Sequence, residues 1–218
     1  DRIVDKMKLI NPNIEVSEVL ESPWPGMYEV TLASGEVIFS DKSAEYLVLG
    51  QMFNLSVEKG FVNLTQKKFE KKVAEVLADY DPDEQIIYKA KGEEKAVVSV
   101  FTDISCYYCK KLHKAIPQLQ ESGVTIKYLA FPREGKGSDT ANKMSSIWCA
   151  KDKPKAMDLA KNTGRIESLA CDDPVEKQFD LARELGVNAT PTIFTTEGVK
   201  ISGFASAERL LSEIGVLN

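Results

Sequence analysis

Three observations predict an α+β fold in two unequal parts. Tyr28, Val30 and Leu32 alternate with polar residues, and after Ser34-Gly35 the alternation resumes at Val37 and Phe39, a strand–turn–strand pattern. At Thr65 a charged amphipathic helix begins. Further on, the β-branched run Ala96, Val97, Val98, Val100 and Phe101 passes into Cys106-Tyr107-Tyr108-Cys109 and then a helical pattern. The first pattern belongs to a small N-terminal α+β unit, residues 1–62. The second is a linker helix, residues 63–82. The third opens an α/β unit, residues 83–218, with a helical insert at about 138–170.

With 218 residues, the chain can hold one large domain or two modest ones. Its 43% hydrophobic and 28% charged content is that of a globular protein, and a net charge of −5 with no long basic run argues against a nucleic-acid partner. No apolar stretch approaches the ~20 residues of a membrane helix. No charged segment followed by an apolar one opens the chain, which fits a cytosolic protein or one numbered from a mature N-terminus at Asp1.

In the first unit, Ile3, Val4, Met7 and Ile10 make a short amphipathic helix stopped by Asn11-Pro12, and Pro23, Pro25 and Gly26 mark a turn. The hairpin follows. A further strand is expected from Tyr46 to Leu49, with Gly50 as a break and Met52 to Leu55 continuing it. A unit of this size buries little surface and contains no cysteine, so association is expected to stabilise it. Pairing of this edge, through Leu47, Val48, Leu49, Gly50, Met52 and Phe53, would give a homodimer; packing on its own chain is the alternative.

Thr65 is the expected cap of the linker helix, whose apolar stripe is Phe69, Val73, Val76, Leu77 and Tyr80. In the second unit Ile86 to Tyr88 and Ala96 to Phe101 read as strands. The helix after Cys106 carries Leu112, Ile116 and Leu119, with Pro117 as a kink. Gly123 ends it, and Val124 to Ala130 form the next buried strand, so strand, helix and strand imply a right-handed crossover and a parallel pair. Ser138 or Asp139 starts the insert. Asp173-Pro174-Val175-Glu176 starts another helix, Thr192–Thr195 and Val199–Ser202 form a hairpin, and Ser206 caps the last helix.

The cysteines carry the chemistry. Cys106 at a helix N-terminus meets unpaired N–H groups and a dipole that favours a thiolate, and Cys109 can attack any mixed disulfide that Cys106 forms. Cys149 and Cys171 make a distant second pair. One close and one distant pair suggest a redox pair plus a structural disulfide, the competing reading being a four-thiolate zinc site. His113 and Asp103 stand near the motif, His113 as a possible tuner of Cys109, Asp103 as a site residue or a helix-entry cap.

This order of elements around a Cys-x-x-Cys resembles the thioredoxin fold, in which a proline at the place of Thr190-Pro191 is cis and faces the cysteines. The stretches from Phe101 to His113, Tyr128 to Arg133 and Ile147 to Lys153 resemble the DsbC/DsbG family of bacterial periplasmic disulfide isomerases, and Tyr46 to Phe53 resembles its dimerisation strand. The resemblance implies a homodimer with a cystatin-like N-terminal dimerisation domain, a linker helix and a thioredoxin-like catalytic domain. It implies a periplasmic protein whose signal peptide has been removed, kept reduced by a membrane reductase of the DsbD type, acting without a cofactor on unfolded or misoxidised secreted proteins. Cys106 and Cys109 would be catalytic, Cys149 and Cys171 the structural pair, and Tyr107, Tyr108, Thr190 and Pro191 substrate contacts. The sequence departs from the family at Tyr107, where glycine is frequent, and at Lys110, where histidine is common. Val100 takes the place of thioredoxin's buried acid, so the Cys109 proton needs another acceptor. The alternatives are a thiol oxidase or dedicated reductase on the same fold, and a chaperone with incidental cysteines.

Overall fold

The structure, a computed structural model, describes residues 2–33, 35–56, 58 and 60–217. Asp1, read as a mature N-terminus, and Ser34 of the expected turn lie outside the described residues. The chain divides into two compact units, residues 1–69 and 70–218.

In the first unit, α1 (Arg2–Ile10) buries Ile3 and Met7, one turn apart on one face, against Val30 and Ile38. A four-stranded antiparallel sheet follows in chain order: β1 (Val16–Glu21), β2 (Met27–Leu32), β3 (Val37–Asp41) and β4 (Leu47–Leu49). β2 and β3 are the expected hairpin, with Val30 opposite Ile38. β1 went unread because its burial alternates weakly: an edge strand with Glu18 and Glu21 lacks a clear period of two. Past Gly50 the chain does not extend β4. β5 (Phe53–Ser56) pairs instead with β6 (Gly60–Asn63) in a separate two-stranded sheet.

Helix α2 (Leu64–Ala78) crosses the division between the units. Its cap is Asn63, whose Oδ1 accepts the Gln66 N–H at 3.0 Å. The expected cap, Thr65, accepts the Met52 N–H at 3.0 Å, because the Leu64 N–H bonded to the Met52 carbonyl brings that segment alongside. Val73 and Leu77 are buried in the second unit.

The second unit is built on a five-stranded sheet, ordered β11 (Lys200–Ser202), β10 (Thr192–Thr195), β8 (Ala96–Thr102), β9 (Val124–Ala130) and β7 (Ile86–Tyr88). β8 and β9 are parallel, with Val98 opposite Ile126; the other pairs are antiparallel. The crossover between β8 and β9 is α3 (Tyr107–Lys114) and α4 (Ile116–Glu121). Pro117 divides them, since it offers no N–H to continue the ladder. Leu112, Ile116 and Leu119 face the sheet. Gly123, in the left-handed region at φ +87°, turns the chain into β9 where a Cβ would come within 2.7 Å of the Glu93 carbonyl.

The insert is α5 (Asp139–Trp148), capped by Ser138, and α6 (Lys153–Thr163), ended by left-handed Gly164. Cys149 and Cys171 are joined by a disulfide that closes this region, which leaves Cys106 and Cys109 as the free thiols. Asp173 accepts the Val175 N–H at the start of α7 (Val175–Glu184). From α7 the buried Gln178 accepts the Ala130 N–H at 2.7 Å and donates to the Glu84 carbonyl at 2.6 Å, tying the end of β9 to the turn before β7. α8 (Ala207–Glu213), capped by Ser206, completes the unit.

Replacing both Cys149 and Cys171 by alanine removes a covalent closure between residues 22 apart. The expected loss, read from chemical denaturation, is about 3 kcal/mol by the loop-entropy model.

Candidate active site

β8 and β10 are antiparallel, with Thr192 opposite Phe101, so the chain leaving β8 and the chain entering β10 meet at one end of the sheet. That register brings Cys106 to Thr190, 84 residues away in sequence: the Cys106 sulfur lies 3.3 Å from the Thr190 carbonyl oxygen. The Thr190–Pro191 peptide is cis. The Thr190 hydroxyl is buried.

Cys106 occupies the N-cap of α3, and its sulfur accepts the Cys109 N–H at 3.5 Å. The first N–H groups of a helix have no intrahelical partner, so a sulfur in the cap position receives both a donor and the positive end of the dipole. Asp103 is therefore not the cap of this helix. It is fully buried and clasps the approach to it: Oδ1 accepts the Ser105 N–H at 2.6 Å and the Ser105 hydroxyl at 2.7 Å, while Oδ2 accepts the Arg133 N–H at 2.9 Å and Nε–H at 3.0 Å. Burial pushes the Asp103 carboxyl up, but these donors together hold it below the usual carboxylate range.

The two sulfurs differ sharply in acidity. The Cys109 thiol, hydrogen-bonding to the Cys106 sulfur, does most to lower the Cys106 pKa, to about 5. Burial opposes this; the Thr190 hydroxyl, the Cys109 N–H and the Arg133 charge assist. Burial drives Cys109 far above the ordinary thiol value, as does its bond to Cys106, while Lys161 and Thr102 pull it back. At neutral pH the pair is thus one thiolate, Cys106, and one thiol, Cys109.

Behind the pair lies a polar cluster. His113 Nε2 is 3.1 Å from Asp158 Oδ1 and Nδ1 is 3.3 Å from the Tyr128 hydroxyl, and the Tyr88 hydroxyl donates to Asp158 at 2.7 Å. Burial first, and then the Lys161 charge, lower the His113 pKa to about 4, so the ring is neutral at pH 7. Among the described residues no hydrogen bond joins His113 to Cys109. Lys161 on α6 is buried and donates to Thr102 Oγ1 at 2.8 Å and to the Asp103 carbonyl at 2.9 Å.

In front of the pair Tyr107 and Tyr108 are 64% and 52% exposed, enough to leave a face open while they pack. Their rings meet edge to face at 5.4 Å, Tyr108 stacks on Phe204 at 6.3 Å, and Lys111 lies over Tyr107. The residues of the expected pairing edge belong to the other unit: Leu47, Val48 and Leu49 are exposed on β4, Gly50 and Met52 form the link, and Phe53 opens β5.

Residues 83–216 match the thioredoxin-like domain family, and residues 1–66 match the disulfide bond isomerase protein N-terminal domain. The chain is 35% identical over 196 residues to the thiol:disulfide interchange protein DsbC of Escherichia coli (strain K12), a match covering 90% of this chain and 80% of that protein. The chain belongs to the DsbC family of disulfide isomerases. It is 36% identical over 197 residues to the DsbC of Pasteurella multocida (strain Pm70), covering 90% of this chain and 83% of that one. A solved disulfide interchange protein from Neisseria gonorrhoeae superposes with a TM-score of 0.56 at 29% identity, covering 62% of this chain and 96% of that one. A DsbC-family protein is a thiol-disulfide oxidoreductase, and the split between Cys106 and Cys109 is the chemistry this requires.

Arg133, Thr102, Lys161 and Phe204 escaped the sequence reading as site residues. Only Lys161 carried a local sign: it continues the buried face of Met157 and Ala160, where a lysine is out of place.

The thiolate is the reactive form, so Cys106 alkylation tracks its ionisation. A lowered pKa means charge above it and loss below it. The alkylation rate of the reduced native protein is expected to stay level from pH 8 to 6 and to fall through a midpoint near 5, with Cys109 unlabelled. A midpoint near the ordinary value of about 8.5 would contradict this geometry.

Proposed function

We propose that the protein rearranges wrong disulfides in secreted proteins, with Cys106 as nucleophile and Cys109 as resolving thiol. The observation that carries this is the stabilised sulfur of Cys106, 3.3 Å from the Thr190 carbonyl and hydrogen-bonded to a partner held as a thiol. The Cys106 thiolate attacks one sulfur of a substrate disulfide. A Cys106–substrate bond forms, the substrate's own bond breaks, and its other sulfur leaves as a thiolate. That thiolate then attacks a different disulfide and finally displaces Cys106, which is isomerisation. Alternatively Cys109 attacks the Cys106 sulfur, releasing reduced substrate and leaving a Cys106–Cys109 disulfide. The stability of the Cys106 thiolate also makes it a good leaving group, which favours isomerisation over trapping.

Tyr107 and Tyr108, with Phe204, offer an aromatic face to unfolded segments, and Thr190 and Pro191 present backbone to an extended one. The compartment is the periplasm, where structural disulfides persist. A membrane reductase of the DsbD type returns the pair to its thiol form. The active species is a homodimer joined through Leu47, Val48, Leu49, Gly50, Met52 and Phe53. The support is β4, which among the described residues pairs only with β3 and exposes three consecutive apolar residues.

Refolding of a scrambled multi-disulfide substrate tests the chemistry. C106A is expected to fall to the uncatalysed rate, whereas C109A keeps isomerisation in part and loses net reduction. Wild-type turnover by C106A would refute the assignment. Sedimentation at micromolar concentration tests the assembly: two chains for the wild type, and a shift to one for Leu49→Asp, which sets like charges in the pairing edge.

A further inference from the structure

Cys109 is fully buried, and its proton must leave before it can attack. The protein group placed to receive that proton is Lys161. Its side chain is 4% exposed, and among the described residues it has no ion-pair partner. The nearby carboxylates are committed elsewhere: Asp103 to Ser105 and Arg133, Asp158 to His113 and Tyr88. What Nζ meets is Thr102 Oγ1 at 2.8 Å, the Asp103 carbonyl at 2.9 Å and the face of Tyr128, 5.8 Å to its centroid. Thr102 lies at the end of β8, and its hydroxyl is among the groups that pull the Cys109 pKa back down. One buried hydroxyl is thus bonded to the amine and acts on the thiol.

We propose that Lys161 takes the Cys109 proton through the Thr102 hydroxyl when Cys109 resolves a mixed disulfide, and returns it when the pair is next reduced. The inference rests on Cys106 as nucleophile and Cys109 as resolving thiol. Lys161 acts in its neutral form, the minor one at pH 7 for a pKa of about 8: one N–H stays on the Asp103 carbonyl, and the lone pair turns to the Thr102 hydroxyl, to which the ammonium otherwise donates. Cys109 passes its proton to Thr102 Oγ, and Thr102 passes its own to Nζ, so that a neutral pair becomes thiolate and ammonium with no net charge moved. The thiolate then attacks the Cys106 sulfur. The Cys106–Cys109 bond forms, the Cys106–substrate bond breaks, and the electron pair leaves on the substrate sulfur. Lys161 acts through Thr102 and is a positioning residue.

The surroundings admit both forms of the amine. An uncompensated buried ammonium is costly, and burial lowers the Lys161 pKa to about 8, with Lys110 adding to the effect and Cys109, Asp103 and Cys106 opposing it. The His113 ring from α3 is neutral, and the Tyr128 hydroxyl from β9 stays protonated well past its usual range. Timing follows from the same contacts. While Cys106 is a thiolate it holds the Cys109 proton by a hydrogen bond. Once Cys106 is in a mixed disulfide that acceptor charge is gone, and the proton is free to move towards Lys161.

The test uses the full-length protein carrying glutathione on Cys106, with glutathione release followed by rapid mixing from pH 5.5 to 9.5. C109S should release none, which checks the underlying assignment on its own. In K161M, a variant that fills the same space without charge, release is expected to fall about 10²-fold at pH 7 and to climb about tenfold per pH unit, as for a thiol with no internal acceptor. Cys106 alkylation should change by less than about threefold. T102V, which breaks the relay but keeps the amine, should show the same release profile as K161M. K161R, a cation that does not accept a proton, should not rescue release. Thermal unfolding of each variant confirms that it is folded. A wild-type pH profile in folded K161M, or full rescue by K161R, would overturn the proposal.

Discussion

Two sulfurs in hydrogen-bond contact cannot both carry charge, and the catalytic unit is arranged around that constraint. Cys106 takes the charge because it sits at the cap of α3 beside the Cys109 N–H and near Arg133. Cys109 keeps its proton because it is buried one helical turn further in and bonded to that charge. The asymmetry sets the order of chemistry: the charged sulfur attacks first, and the act of attacking removes the charge that had silenced the other sulfur. No conformational change is needed for that handover, because it is electrostatic.

Holding the sulfurs in contact needs a rigid turn, and Asp103 supplies it. A fully buried carboxylate is tolerated because four donors from Ser105 and Arg133 surround it. Two of those bonds reach across to Arg133, just past the end of β9, so the approach to α3 is locked to the exit of β9. The register of β8 with β10 then fixes Thr190 over Cys106. Behind the pair, Tyr88, Tyr128, His113 and Asp158 satisfy one another in a continuous polar cluster. Buried polar groups are costly only when left unpaired, so this cluster keeps a polar environment close to Cys109 without destabilising the core.

The first unit shows a different economy. Its core is small, built from Ile3, Met7, Val30, Ile38 and Ala44. Apolar residues there are instead spent on an open edge, with Leu47, Val48 and Leu49 exposed. An exposed apolar edge strand is a liability for an isolated unit and an asset for one that pairs.

Local pattern decided much by itself. The Cys106–Cys109 spacing, the apolar run into it, Pro117 in the crossover and Gly164 and Ser138 at the helix ends act through neighbours within a turn or a strand, so their consequences are legible in one dimension. Asn63 in place of Thr65 as a cap, β6 as the partner of β5, and Asp103 as a clasp rather than a cap depended on segments distant in sequence, which offer competing donors that no local pattern displays. Most of all, the chemistry of the site depends on pairs the chain separates widely: Thr190 with Cys106, Arg133 with Asp103, Lys161 with Thr102. The sequence by itself determined which atoms react, because sulfur chemistry resides in the residue type and its spacing. Tertiary structure alone decided how far the two sulfurs part in acidity and which groups surround their protons, because pKa is set by burial and by neighbours in space.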